Sequence, residues 1–203
     1  MRRNRRRKRK KLEEVGPLSY RIAREGAEAL AAVERALAFK TEWLDRHAIM
    51  SNAYADARFG EFWRSVATTP ERPVGLTAFV LDLNGRPVAI EIGLRYQGAH
   101  YAHIGAFDVE LEKSSPSASQ MDGVIAACIA DDIGTYDMLA PNADYKERIA
   151  VDFVAVRDYV LPLNAKGRAF DALRLNESRV IAKAAAKSLP PGLRKIIKST
   201  LGV

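Results

Sequence analysis

The apolar positions of this chain change period several times, and the changes mark its elements. Leu18, Tyr20 and Ile22 alternate with polar residues, the period of a short strand. Over residues 27–46, Leu30, Val33, Leu37, Leu44 and their neighbours fall at spacings of three and four, one stripe along a helix. Trp43 reads as core, and His47 sits where a cation suits the helix C-terminus. Phe59, Phe62, Trp63 and Val66 give a second helical face over 57–67, which Pro70 and Pro73 end. A β-rich run then covers 75–83. Asn84-Gly85 is the strongest hairpin signal, because both residues tolerate positive φ. Residues 87–96 run back with apolar side chains on both faces, as in an inner strand. Gln97-Gly98 turns the chain into a third antiparallel strand, 99–107.

Beyond it the pattern predicts a serine-rich loop, 113–119, then a helix over 120–133 and a short strand over 135–139. A helical turn at 144–149 and one or two strands within 150–163 follow. A long basic amphipathic helix over 166–188 stops at Pro190-Pro191-Gly192, and a short basic helix over 193–201 ends the chain. The fold class expected is α/β (α+β): one mixed, mostly antiparallel sheet within 74–163, with helices on both faces.

Composition narrows the setting. The 203 residues, 48% apolar, suffice for one core with appendages. No apolar run approaches the ~20 residues of a membrane span. The basic start leads into more charge and not into the apolar core of a signal peptide. The lone Cys128 forms no internal disulfide and suits a reducing compartment, so a cytoplasmic site is expected. The net charge of +7 is local. Residues 2–11 hold nine Arg and Lys, leaving 23 of the 32 cations against 25 Asp and Glu. A globally basic nucleic-acid binder is therefore not supported. The arm itself suits nucleic acid, an anionic membrane surface, or simply a solvated helix start. The tail helix suits packing on its own domain or a membrane-peripheral contact.

His100 and His103, three apart in a strand, are placed on opposite faces and cannot share a metal ion. One cysteine and three histidines argue against a metal site. The order strand, small polar loop, helix N-terminus can instead build an anion site, because first-turn N–H groups lack intrahelical partners and sit at the positive end of the helix dipole.

The ordered series Leu83-Asn84-Gly85-Arg86-Pro87-Val88-Ala89, Tyr101, Ala106-Phe107-Asp108, Lys113-Ser114-Ser115-Pro116, Tyr136-Asp137 and Asp144-Tyr145-Lys146 resembles the CelD-like (cellulose biosynthesis-type) acetyltransferases of the GNAT superfamily. These are related to FemAB-type transferases. The resemblance covers most of residues 1–163. With the charge and helix pattern it divides the chain into a basic N-terminal arm at 1–14, a GNAT-like acyltransferase domain at 15–163 and a basic helical extension at 164–203. It also implies an acyl-CoA donor, acetyl-CoA or a longer one, and direct transfer to a polar, small or saccharide-linked acceptor. Strands 99–107 and 135–139 would splay around the donor. A backbone N–H near Ala106 or Phe107 would polarise its carbonyl. The pyrophosphate would rest on Ser115, Ser117, Ala118 and Ser119. Asp137 and Tyr145 would supply base and acid, and Lys146 would support charge.

The family's loop glycine after Ser-Pro is replaced by Ser117-Ala118, and its later glycine-rich turn by Ala140-Pro141-Asn142-Ala143. These replacements motivate a second expectation, a catalytically weak scaffold of exopolysaccharide biosynthesis. An aminoacyl-tRNA-dependent transferase, by analogy with FemAB proteins, is a third.

Overall fold

A computed structural model describes residues 2–70, 73–157 and 159–175. The chain divides into two compact units. One holds the residues up to Arg46 with Ser51–Pro141, the other His47–Met50 and the chain from Asn142 onward.

The first unit runs α1 (Arg2–Glu13), β1 (Leu18–Ala23), α2 (Gly26–Arg46), α3 (Asn52–Ala55), α4 (Ala57–Thr68), β2 (Gly75–Leu83), β3 (Arg86–Tyr96) and β4 (Ala99–Phe107). A 3₁₀ turn (Val109–Ser114), α5 (Pro116–Ala130) and β5 (Thr135–Asp137) complete it. The five strands lie side by side in chain order. The first four pair antiparallel, and β5 joins β4 in parallel. A parallel neighbour needs a crossover, which the 3₁₀ turn and α5 provide. Both hairpins use two residues with positive φ: Asn84 at 53° with Gly85 at 73°, and Gln97 at 47° with Gly98 at 74°. That geometry matches the twist of the flanking strands.

Helices cover both faces of the sheet. Leu76, Val80, Ile90, Ile92 and Ile104 pack against Val33 and Phe39 of α2 and Trp63 of α4. Ala29, Ala32, Ala36 and Leu44 hold the rest of α2's buried side, and the three alanines bring the helix close to the sheet. On the other face Phe79 meets Val124 and Cys128 of α5. At the β2–β3 hairpin end, Leu12 of α1 is fully buried among Leu81, Leu83, Val88 and Ala89. The basic segment is thus helical from Arg2 on, and Leu12 anchors it.

Several expectations need correction. α5 begins at Pro116, four residues ahead of the expected start at Gln120. Proline suits a first helical position because its missing N–H would be unpaired there anyway. Ser117, Ala118 and Ser119 are therefore helical, not loop. β5 is only three residues long, and Leu139 turns away at φ 55°. Among the described residues of 150–163 no strand forms: Val151, Phe153, Val154 and Val156 are exposed. β-Propensity becomes a strand only with a partner edge and a packed face. The sheet therefore spans 18–137, gaining β1 and losing the segment after β5. The short α3 was not anticipated.

In the second unit, α6 (Asp144–Glu147) falls where a helical turn was expected. α7 covers Ala165–Ala172, capped by Leu173, with Arg174 at φ 49°. The expected helix over 166–188 is interrupted there. Its remainder, Pro190-Pro191-Gly192 and the 193–201 helix lie outside the described residues. Among the described residues no helix is long and apolar enough to cross a membrane.

Candidate active site

β4 and β5 pair only at Ala99–Thr135, His100–Tyr136 and Tyr101–Asp137. β4 then continues to Phe107 with β3 as its one ladder partner. A bulge falls where the strands part. Gly93 pairs with Ala102 and Ile92 with Ile104, so His103 is the extra residue. A bulge bends its strand and increases local twist, which turns β4 away from its neighbour. The His103 ring lies 5.3 Å from that of Trp63 on α4. Partial desolvation of its ring, which is otherwise exposed, and then the nearby His100, hold His103 below the ordinary imidazole range. His100 faces the other side, edge-on to Phe79 at 5.1 Å and stacked on Tyr136 at 5.7 Å. The two histidines occupy opposite faces, as their spacing required.

Three polar side chains meet on the α5 side of the sheet, one from each of β3, β4 and β5. Glu91 Oε1 is 3.1 Å from His100 Nε2, and the Tyr136 hydroxyl donates to Glu91 Oε2 at 2.7 Å. His100 is fully buried and Glu91 only 7% exposed. Gly93 permits this arrangement. A Cβ there would lie 2.2 Å from His100 Cε1, so the ring can lie over β3 only because the side chain is absent. Gly105, the β4 partner of Glu91, has the opposite surroundings: a Cβ there would meet nothing within 4 Å.

A second polar cluster surrounds the start of α5. Ser115, its N-cap, has φ 48° and ψ 62° and makes no side-chain cap. The α1 helix supplies cations to this point. Lys8 Nζ donates to Ser115 Oγ at 2.6 Å. Arg5 donates to the Ala118 carbonyl at 3.3 Å and pairs with Asp122 at 2.7 Å. Tyr20 of β1 donates to the Ser119 carbonyl at 2.9 Å. A cation against the positive end of a helix is unfavourable by itself, and an anion between them reverses the sign. Two amides of the expected cradle are already engaged: Ser115 N–H with the Glu112 carbonyl and Ala118 N–H with the Ser115 carbonyl. Ser119 Oγ is buried and finds no hydrogen-bond partner among the described residues.

The remaining expected residues are placed as follows. Ala106, near the end of β4, is buried in the α2-side core, and Phe107 packs against the Leu81–Leu83 cluster. Asp137 ends β5, and its Oδ1 accepts the Leu139 N–H at 2.7 Å, the bond of a loop-capping carboxylate. Tyr145 and Lys146 lie on α6 in the second unit, with Tyr145 52% exposed. Glu91, His100 and Lys8, which these two clusters bring forward, were not among the expected candidates. One signal was available for Glu91: a charge in the middle of an inner strand's apolar run must find partners, since an unpaired buried charge is costly.

Residues 1–147 match the family of acetyltransferase (GNAT) domains, and the chain belongs to that family. GNAT acetyltransferases are enzymes that take acetyl-CoA as donor. Among solved structures, the chain is similar to a ribosomal-protein-alanine N-acetyltransferase from Brucella melitensis biovar Abortus 2308. The identity is 9%, with 73% of this chain and 100% of that one covered and a TM-score of 0.44. It is also similar to the aminoglycoside acetyltransferase HMB0005 from an uncultured soil metagenomic sample, at 14% identity, 72% and 99% coverage and a TM-score of 0.48. The aminoglycoside acetyltransferase meta-AAC0020, also from an uncultured soil metagenomic sample and in complex with sisomicin, has 13% identity, 70% and 96% coverage and a TM-score of 0.45. No curated protein matches the chain.

Proposed function

We propose that this protein is an acyl-CoA-dependent N- or O-acyltransferase of the CelD-like branch, transferring an acyl group directly to a polar, saccharide-linked acceptor. The observation that carries the donor site is Lys8 at the N-terminus of α5, where a cation and a helix dipole of the same sign converge. The pyrophosphate of an acyl-CoA is an anion of the kind such a point favours. Ser115, Ser117, Ala118 and Ser119 line it, with Lys8 and Arg5 beside them. The gap where β4 leaves β5 suits the pantetheine and thioester, with an amide near Ala106 or Phe107 toward the carbonyl. Asp137, Tyr145 and Lys146 remain proposed participants in proton transfer and acceptor binding. The domain limits 1–14, 15–163 and 164–203 belong to the same reading.

A scaffold with weak donor binding is the second reading. It is favoured by the two cradle amides already engaged within the chain. The engagement of Lys8 and Arg5 with α5 counts against a tRNA- or membrane-binding arm as their main task.

A thermal melt with acetyl-CoA and longer acyl-CoAs tests the proposal. At a thousandfold excess over the dissociation constant, about 4 kcal/mol of stabilisation is expected, a rise of several degrees. No rise with any acyl-CoA would favour the scaffold.

A further inference from the structure

The Glu91–His100–Tyr136 cluster is built unlike a structural hydrogen bond in passing. It ties three adjacent strands, and it does so at the level where β4 and β5 separate. Opposed residues of an antiparallel pair point to the same face, with Cβ atoms about 5 Å apart. Glu91 is opposed by Gly105, and the place of the missing side chain is open space. Any residue larger than glycine would occupy the position beside the carboxylate. The carboxylate is thus fixed by two donors, nearly closed off from bulk water, and adjacent to a vacant position on the strand that borders the gap.

Resting on the acyltransferase reading, we propose that Glu91 takes the proton-accepting role in place of Asp137, whose Oδ1 already accepts the Leu139 N–H, and that it is reached through the opening at Gly105, with His100 and Tyr136 as its positioning residues. Glu91 takes the proton from the acceptor's amine or hydroxyl as the new carbon–nitrogen or carbon–oxygen bond forms. The carbon–sulfur bond of the thioester breaks in the same transfer, and its electron pair leaves with sulfur. The proton held by Glu91 is then returned to that sulfur, so the products are the acylated acceptor and a free thiol, with no net proton released. His100 Nε2 and the Tyr136 hydroxyl each engage one carboxylate oxygen, which leaves the group in a single orientation. Tyr136 is only half-buried, and its ring stacked on His100 keeps water from the pair.

The test uses the full chain, acetyl-CoA and glucosamine as the amine. Melting temperature with acetyl-CoA and thiol release are measured for wild type and Glu91→Gln. In wild type the Glu91 carboxyl carbon is followed by NMR, assigned through the backbone. Acetyl-CoA is expected to raise both melting temperatures alike and to move the Glu91 resonance. Thiol release is expected to fall about 100-fold in Glu91→Gln, the lower end of what a general base contributes. A wild-type rate in Glu91→Gln overturns the assignment, and so does a Glu91 resonance that stays still while acetyl-CoA raises the melting temperature. Gly105→Leu fills the opening and leaves the carboxylate in place. It is expected to lose thiol release to a similar degree, and undiminished release overturns the route. Where Glu91→Gln does not fold or glucosamine is not accepted, the wild-type resonance decides. If acetyl-CoA raises neither melting temperature, the acyltransferase reading itself fails, and this assignment falls with it.

Discussion

Glu91 and His100 face each other across β3 and β4, 3.1 Å from Oε1 to Nε2, with His100 fully buried. Such a pair is weak evidence of stabilisation, because burial costs both groups their water. Breaking it is another matter, since the remaining partner stays buried and loses a bond. His100→Phe is expected to cost about 3 kcal/mol, seen as a lower midpoint in urea with an unchanged slope. Little change would mean that the cluster relaxes toward solvent.

Gly93→Ala probes the same pair from beneath. The added Cβ would come within 2.2 Å of the His100 ring, so the ring must rise off β3. Overpacking of this kind costs about 1–3 kcal/mol. In a His100→Ala background the cost should fall by the ring's share and keep the part due to the Tyr101 carbonyl, 2.6 Å from the same Cβ. A double-mutant cycle measures that coupling, and additive effects would place the strain elsewhere.

Leu12 carries the docking of α1. It is fully buried although the other eleven residues of α1 are polar or charged, so the helix depends on it. Leu12→Ala should lower stability by about 2–5 kcal/mol, by urea denaturation, as for other buried leucines. A change within about 0.5 kcal/mol would show that α1 contributes nothing to the first unit.

Lys8→Glu reverses the charge at the start of α5 while leaving the core untouched. Its pairing with Ser115 is replaced by repulsion of any anion there. Acetyl-CoA affinity is expected to fall about tenfold or more, equivalent to about 1.4 kcal/mol, by calorimetric titration. Affinity equal to wild type would remove Lys8 from the donor site.

Cys128 is buried under the sheet, and its thiol is pushed up to about 11, first by burial and then by Glu91 and Asp131. The folded state therefore holds this proton more tightly than the unfolded chain, where a thiol titrates at about 8.5. The contribution is fully present below that range and is lost as pH rises toward about 11. Thiol labelling at pH 8 should be slow in buffer and fast in urea, and stability should fall above pH 9. Rapid labelling of the folded protein would show that α5 opens locally.

The β-rich apolar runs, Asn84-Gly85 and Gln97-Gly98 were enough to place β2, β3 and β4 and their antiparallel order. These signals are local: a short apolar run between turn signals reads as an inner strand, and residues that accept positive φ select the turn. The amphipathic stripe of α2 is legible for the same reason. The start of α5 is less so, because serines with a proline serve a loop and a helix's first turn equally well.

What the sequence by itself determined is the order of the strands and longer helices of residues 18–130, α3 excepted, the burial of both faces of the inner strands, and the local origin of the basic charge. What only the tertiary structure decided is which separate polar residues meet. Glu91 and His100 lie on two arms of one hairpin and Tyr136 is 45 positions from Glu91, and they become one cluster through strand register. Lys8 reaches Ser115, 107 positions away, because Leu12 pins α1 to the hairpin end of the sheet. The apolar run after β5 shows the converse. Its residues have strand character, but a strand exists only where another edge accepts its hydrogen bonds. Local propensity is carried by each residue alone, whereas register, docking and pairing are properties of two segments at once.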